Sequence, residues 1–350
     1  MTAISSTALQ SEASLTSFEE QTEHCVATQN APVQDVSVVI VSYWTGPLLS
    51  RCIASVMAQP RVKEIILVDN GNAPHEIRRA KAISPEGASE LRILSGHGNI
   101  GFAAGCNLGA SRATGEYLLF LNPDAALPAN GLDTLLEESE GLKGRWLLGG
   151  KLVDPDGSEQ RGARRRTLTP WTAFVELTQL YRIAPQHPYF RGFNLNAEPC
   201  PGRTCQTPVI SGACMFLKRA DYDAVGGMDE DYFLHVEDVD FCLRFAEAGG
   251  AVYYTPHVAV THCKSSSRVS PIGVERRKAQ SMVRYFWKHF RKPYPAAFLV
   301  LVSGAVWAAF GARLVKRAVI RLPAYFGFTA RSRSKGVKRL RRIAARRSGR

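Results

Sequence analysis

Four carboxylates in this sequence stand where chemistry is done. Glu237, Asp238 and Asp240 crowd the start of a segment whose apolar residues, Val239, Cys242, Leu243 and Ala246, recur at helical spacing. The helix dipole favours anions in a first turn, and such acids are common caps. Three together, preceded by Asp229, Glu230 and Asp231, exceed what capping needs. The fourth is Asp124, which closes the stretch Glu116-Tyr117-Leu118-Leu119-Phe120-Leu121-Asn122-Pro123-Asp124. An apolar run bounded by Gly115 and Pro123 reads as a buried strand. Pro123 cannot continue a central ladder, so the strand stops there. Asp124 then lies just past a carboxyl end, the edge where open α/β sheets bind ligands. A hard oxygen ligand there can hold Mg²⁺ or Mn²⁺ against a phosphate, although Asn-Pro-Asp also favours a plain turn. His262, taken alone, reads as a buried, satisfied histidine, with a metal ligand as the alternative.

The elements that must position these groups follow from pattern. Val36 to Tyr43 is a β-branched run and a first strand. Leu49, Ile53, Val56 and Met57 give a helical stripe between Leu48 and Gln59, and Glu64 to Asp69 is a second buried strand, ended by the turn Asn70-Gly71-Asn72. Strand, helix and strand make a βαβ unit and a parallel sheet with Tyr43 and Asp69 at its carboxyl edge. Arg92 to Leu94 is a third, short strand. The small residues of Gly98 to Gly109 permit close approach of backbone to a ligand or of a helix to the sheet, and Asn99 and Asn107 within it are harder to explain as packing. Trp146 to Val153 and Val209 to Leu217 read as strands, Trp171 to Leu180 and Ile272 to Phe290 as helices, and Ala251–Tyr254 and Val258–His262 as two short extended segments. Arg161 to Arg166, with four arginines, reads as a solvated loop.

Composition narrows the classes. The net charge is +13 over 350 residues, but Arg313 to Arg350 holds 14 Lys and Arg with no acid, which leaves Met1 to Ala312 at −1. The basic character belongs to a tail and counts against a nucleic-acid-binding core. Such a cluster suits anionic lipid head groups, with nucleic acid as the competing partner. The eight Cys show no Cys-x-x-Cys or finger spacing, as expected of reduced thiols. Residues 1–34 are polar and aperiodic, read as disordered and without a signal peptide. Pro293 to Ala312 carries no charge and is long enough to span a bilayer, lie in its interface or pack as a buried hairpin.

Taken together, Val36 to about Arg268 resembles the family 2 glycosyltransferases of GT-A fold, in their bacterial rhamnosyltransferase-like branch. The resemblance rests on Val39-Ile40-Val41-Ser42-Tyr43, Val68-Asp69-Asn70-Gly71, Asn99-Ile100-Gly101-Phe102 with Asn107, Leu121-Asn122-Pro123-Asp124, Ser211-Gly212-Ala213, and Glu237-Asp238-Val239-Asp240 followed by His262, six motifs in the family's order. It implies an α/β fold with a mostly parallel central sheet flanked by helices. It implies a domain over 35–270, with a nucleotide-sugar-binding half over 35–125 and an acceptor half over 126–270; beyond the resemblance, composition and charge give C-terminal helices with an apolar membrane-associating segment over 271–312 and a basic tail over 313–350.

By the same resemblance, Tyr43 and Asp69 would hold base and ribose, with Asn99 and Asn107 near the nucleotide. Asn122-Pro123-Asp124 stands where the family has Asp-x-Asp, so Asp124 would carry a divalent cation, Mg²⁺ or Mn²⁺, with Asn122 beside the donor. Asp238 matches the general base and Glu237 its acidic neighbour, and His262 would complete the metal or pyrophosphate site. The implied activity is inverting, metal-dependent transfer of a sugar such as rhamnose from a dTDP- or UDP-sugar to a lipid-linked or glycan acceptor. It would take place on the cytoplasmic face of the inner membrane, by peripheral or single-span attachment. A nucleotidyltransferase would instead open with a Gly-rich loop bearing Arg and Lys after the first strand, where this chain has Trp44-Thr45-Gly46-Pro47.

Overall fold

The computed structural model describes residues 35–83, 90–183, 187–263 and 269–325. The expectations for 1–34 and for the tail beyond 325 lie outside the described residues.

In chain order the strands are β1 (Val36–Ser42), β2 (Val62–Asp69), β3 (Glu90–Leu94), β4 (Tyr117–Leu121), β5 (Ala125–Ala126), β6 (Trp146–Val153), β7 (Arg164–Arg165), β8 (Cys205–Gln206), β9 (Val209–Ile210), β10 (Cys214–Lys218) and β11 (Ala251–His262). The helices are α1 (Leu48–Met57), α2 (Pro74–Ile83), α3 (Phe102–Ala110), α4 (Gly131–Glu140), α5 (Pro170–Thr178), α6 (Leu180–Ile183), α7 (Arg219–Ala224), α8 (Glu237–Glu247), α9 (Pro271–His289) and α10 (Ala296–Tyr325).

One sheet organises them, in the order β3-β2-β1-β4-β10-β6-β11-β5, with β8 beside β11. β1 is buried along its whole length because it lies between β2 and β4, parallel to both. A strand covered on both faces reads as a continuous apolar run, which is what VSVVIVS and YLLFL are. Beyond β4 the sheet is mixed: β10 runs antiparallel to β4 and β6, while β6 and β11 are parallel.

Two strand expectations need correction. Val209 to Leu217 is not one strand: β9 pairs with β7 in a separate ribbon, and β10 joins the main sheet. The break falls at Ser211-Gly212-Ala213. Conversely, Ala251–Tyr254 and Val258–His262 are one strand whose register jumps between Thr255 and Ala259. Pro256 lies in that jump and has no N–H for the ladder, so a bulge absorbs it.

α1 and α4 cover one face of the sheet, and α3, α8, α9 and α10 the other. α3 lies unusually close. A Cβ at Gly105 would meet Val41 Cγ1 at 2.6 Å, and one at Gly109 would meet Val39 Cγ1 at 2.3 Å. The glycines therefore serve helix–sheet contact, and α3 runs away from the carboxyl edge as its numbering rises.

α8 and α9 are pinned together by charge. The fully buried Asp240 accepts from Arg244 Nε, Lys288 Nζ and His289 Nε2, each at 2.7 Å. Burial alone would push its carboxyl up; the bonds from His289, Lys288 and Arg244 outweigh this and hold it far below the carboxylate range. Asp240→Asn removes the carboxylate paired with Arg244 and His289, and leaves Lys288 only its second partner, Asp229 Oδ2 at 2.7 Å; a broken buried pair typically costs about 3–5 kcal/mol. The expected result is a lower denaturation midpoint at pH 7 and a smaller difference from wild type in acid. Asp240 contributes stability above its unfolded pKa, and that contribution fades as pH falls. Equal midpoints at pH 7 would refute the assignment.

α10 places Leu299, Val302 and Val306 under the domain. Phe298 lies 6.5 Å from Phe174 of α5, and Trp287 Nε1 of α9 donates to Ser303 Oγ at 3.2 Å. Its stretch Ala296–Val319 is long and apolar enough to cross a membrane by length and composition, with mean hydropathy 1.9.

Candidate active site

The register Ser42↔Asp69 puts the ends of β1 and β2 level, so Tyr43 and Asp69 sit side by side at the carboxyl edge. Asp69 Oδ1 accepts from the backbone N–H of Gly71 and Asn72, at 3.0 and 2.8 Å, and from Asn72 Nδ2 at 2.8 Å. Asn72 Oδ1 in turn accepts from Ser42 Oγ at 3.0 Å and Thr45 N–H at 3.2 Å. This closed network fixes a carboxylate beside an aromatic ring, able to accept from sugar hydroxyls and to stack on a base.

Asn70 Nδ2 reaches across to Gly101 O at 2.9 Å and so holds the loop that carries Asn99 to the same edge. Asn99 is exposed there, its Oδ1 accepting from Gly101 N–H at 3.1 Å. Asn107 is not at the edge. It lies in α3 between the glycines that touch Val41 and Val39. Its Nδ2 donates to Met228 O at 2.8 Å and Glu230 Oε1 at 2.9 Å, and its Oδ1 accepts from Met228 N–H at 2.9 Å and Tyr222 Oη at 2.5 Å. The amide is saturated by Tyr222 of α7 and by Met228 and Glu230 in the loop that follows.

Asn122-Pro123-Asp124 follows β4. β5 pairs with the end of β11 in the register His262↔Ala125, and Cys263 N–H donates to Asp124 O at 3.0 Å. That ladder brings His262 Nε2 to 3.2 Å from Asp124 Oδ1 and from Asn122 Nδ2. The ring's other nitrogen, Nδ1, donates to Oε1 of the fully buried Gln160 at 2.9 Å. A neutral ring in this pose presents its Nε2 lone pair to Asp124, with orientation set by an outer hydrogen bond as metal-binding histidines require. One carboxylate and one imidazole fit a hard divalent cation that takes its other ligands from substrate phosphates and water. Among the described residues no group of three or more His, Cys, Asp or Glu is gathered to hold a metal.

Before α8 the chain turns through two left-handed residues, His235 (φ 68°) and Val236 (φ 73°). The turn aims the first-turn carboxylates inward. Asp238 Oδ2 accepts from Gly212 N–H at 3.0 Å and Arg165 Nη2 at 2.6 Å, and its Oδ1 from Val239 N–H at 2.8 Å. Burial alone would raise its carboxyl; the Arg165 charge and hydrogen bond, with the amides of Gly212 and Val239, prevail and hold it below the usual range. Glu237 is pushed the other way, to about 8, by burial and then by the charge of Asp238. Near neutrality Asp238 is the ionised member. Asp240 points away to its own cations, as ~200° around a helix requires.

Arg165 is the residue that sequence reasoning missed. Arg161 to Arg166 is not a solvated loop. Arg164 is buried against Glu159 at 2.7 Å, and Arg165 donates to both Asp238 and Ile210 O, the latter at 2.6 Å, over the ring of Phe193. Nothing in sequence pairs positions 73 apart, as these are; the run of arginines was the only signal.

The break in the expected strand joins the two halves of the site. Gly212 N–H holds Asp238, and the carbonyl of the next residue, Ala213, accepts from Asn122 N–H at 3.0 Å. A Cβ on Gly212 would come within 3.3 Å of that of Asp238, a tight contact that Asp238 would have to relieve by a shift of a few tenths of an ångström.

Arg165→Gln removes the nearest cation from Asp238, and an adjacent opposite charge typically lowers a carboxylate by ~1–3 pH units. The acid limb of kcat/KM is expected to move to higher pH by about one unit or more. An unmoved limb would mean that Asp238 is not the group that limits activity in acid.

Residues 37–197 match the family model "Glycosyl transferase family 2". The chain is 29% identical over 246 residues to the N-acetylglucosaminyl-diphospho-decaprenol L-rhamnosyltransferase of Mycobacterium tuberculosis, covering 66% of this chain and 76% of that one. It is 24% identical to rhamnosyltransferase WbbL of Escherichia coli, over 65% of this chain and 83% of the relative. In fold it is similar to the mannosyltransferase PcManGT of Pyrobaculum calidifontis, solved in complex with GDP-Man and Mn²⁺. That likeness has a TM-score of 0.50 at 18% identity and covers 92% of both chains. These matches support a family 2 glycosyltransferase, rhamnosyltransferase-like, with a mixed α/β fold similar to GT-A structures.

Proposed function

We propose that this glycosyltransferase moves a deoxyhexose such as rhamnose from a dTDP- or UDP-linked donor to a lipid-linked or polysaccharide acceptor, in bacterial cell-surface glycan synthesis. The observation that carries the reading is the Gly212–Ala213 link. It ties the backbone that holds the Asp238 carboxylate to the turn that bears Asp124, beside which the end of β11 brings His262. The Mycobacterium relative, whose name specifies a rhamnosyl transfer to a diphosphate-linked lipid, supports the choice of sugar and acceptor.

Tyr43 and Asp69 hold the nucleoside at the edge of β1 and β2, with Asn99 in the adjoining loop. Asp124 and His262 would hold Mg²⁺ or Mn²⁺, which supplies charge stabilisation to a departing diphosphate. Asp238 takes the proton of the acceptor hydroxyl as that oxygen bonds the anomeric carbon and the diphosphate leaves. One base and one leaving group make a single displacement, so configuration inverts. Arg165 keeps Asp238 ionised until the acceptor hydroxyl arrives. Glu237, protonated beside it, keeps a second negative charge out of the pocket.

The test is transfer by purified full-length enzyme from a panel of nucleotide-sugars to a polyprenyl-diphosphate sugar, with the anomeric configuration of the product read by NMR. Transfer from dTDP-rhamnose with inversion is expected. Retention would refute the mechanism, and transfer only from another donor would refute the choice of sugar.

A further inference from the structure

From the packing and charge of α10 we infer that this helix lies in the plane of an anionic membrane surface and does not cross the bilayer. The inference rests on the membrane-bound acceptor proposed above. A spanning helix needs ~20 residues surrounded by lipid. Here one side of α10 is already occupied by protein. Leu299, Val302 and Val306 are buried beneath α5 and α9, and Arg313 is tied to Glu275 of α9 at 2.7 Å. After Arg313 the helix has only residues 314–325, and those include Lys316, Arg317, Arg321 and Pro323. No uncovered, uncharged run of sufficient length remains.

The opposite side of α10 is what an interfacial helix presents. At ~100° per residue, Val300, Leu301, Trp307, Val315 and Val319 fall on the arc away from the buried row. All five are exposed, Trp307 at 39% and Val315 at 64%. Arg313 and Arg317 turn back toward the domain side, where head groups and water would meet them. The charge identifies the occupant. After Glu275 the sequence holds 21 Lys and Arg and no Asp or Glu, which is complementary to anionic lipid. α5, which packs on α10 through Phe174, starts five residues after Arg165 and leads on to the exposed Ile183 and Tyr189. The protein-covered side of α10 is thereby linked through α5 to the stretch that carries Arg165, the residue that holds Asp238.

Topology separates the two arrangements. Full-length protein with a C-terminal epitope is exposed to protease in intact spheroplasts and in inverted vesicles. In-plane attachment keeps the epitope protected in spheroplasts and loses it, with the catalytic domain, in inverted vesicles. Loss of the epitope from intact spheroplasts would overturn the inference. With purified full-length protein, vesicles containing phosphatidylglycerol should sediment it and pure phosphatidylcholine should not; equal sedimentation would refute anionic recognition. Leu301→Asp with Trp307→Asp is expected to weaken partitioning roughly tenfold or more, and unchanged partitioning would refute the role of this face. Transfer to a soluble acceptor is measured separately, so its absence bears on the proposed reaction and not on the helix.

Discussion

Asp238→Asn lowers kcat by about 10²–10⁴-fold, the range for loss of a general base. The amide keeps the shape and still accepts from Gly212 N–H, but it cannot take the acceptor's proton. Because Arg165 loses its counter-charge, the melting temperature falls measurably without loss of fold, while donor affinity is little changed. Glu237→Gln is the discriminating control. Glu237 carries a proton near neutrality, and its folded pKa lies above the unfolded value. As pH rises from about 5 toward 8 the unfolded chain releases that proton while the native state retains it, so stability declines across this window. Gln removes the decline and leaves catalysis near wild type. A dead Glu237→Gln beside an active Asp238→Asn would move the base to Glu237. Full activity in both would overturn the mechanism.

Asp124→Asn removes metal-dependent turnover. A cation at a departing diphosphate is worth several kcal/mol, which is about 10³-fold in rate. The variant is expected to lose that factor at saturating Mg²⁺ or Mn²⁺, and calorimetry should show that Mn²⁺ no longer tightens donor binding. The turn survives because its fixing bonds, Cys263 N–H to Asp124 O and the β5–β11 ladder, are backbone bonds. Wild-type rates with metal and with EDTA alike would exclude Asp124 as the ligand. Gln160→Leu should act in the same direction more weakly, about 10–100-fold, by unfixing His262.

What could be read from the sequence divides along physical lines. β1, β2 and β4 were legible because doubly covered strands cannot alternate, and their carboxyl ends named Tyr43, Asp69 and Asp124 at once. α8 was legible because its apolar spacing and first-turn acids agree. α3 was not called a helix, because Gly and Ala carry little helical signal and its glycines are explained only by Val39 and Val41. α2 escaped because most of its residues are polar. The depth of Asn107 below the sheet edge was not legible, because motif order says nothing of depth. Arg165 was hidden by distance in sequence, and the ribbon of β7 and β9 that positions it is only four residues in all. Short pairings of that kind carry almost no periodicity.

Val236 holds a left-handed conformation that a β-branched side chain tolerates poorly, at a cost of order 1–3 kcal/mol. Its side chain is nonetheless buried in the core beside α8, so glycine or asparagine there would relieve the backbone only by giving up that burial. The valine thus anchors the segment that steers α8, and with it the pose of Asp238 against Gly212.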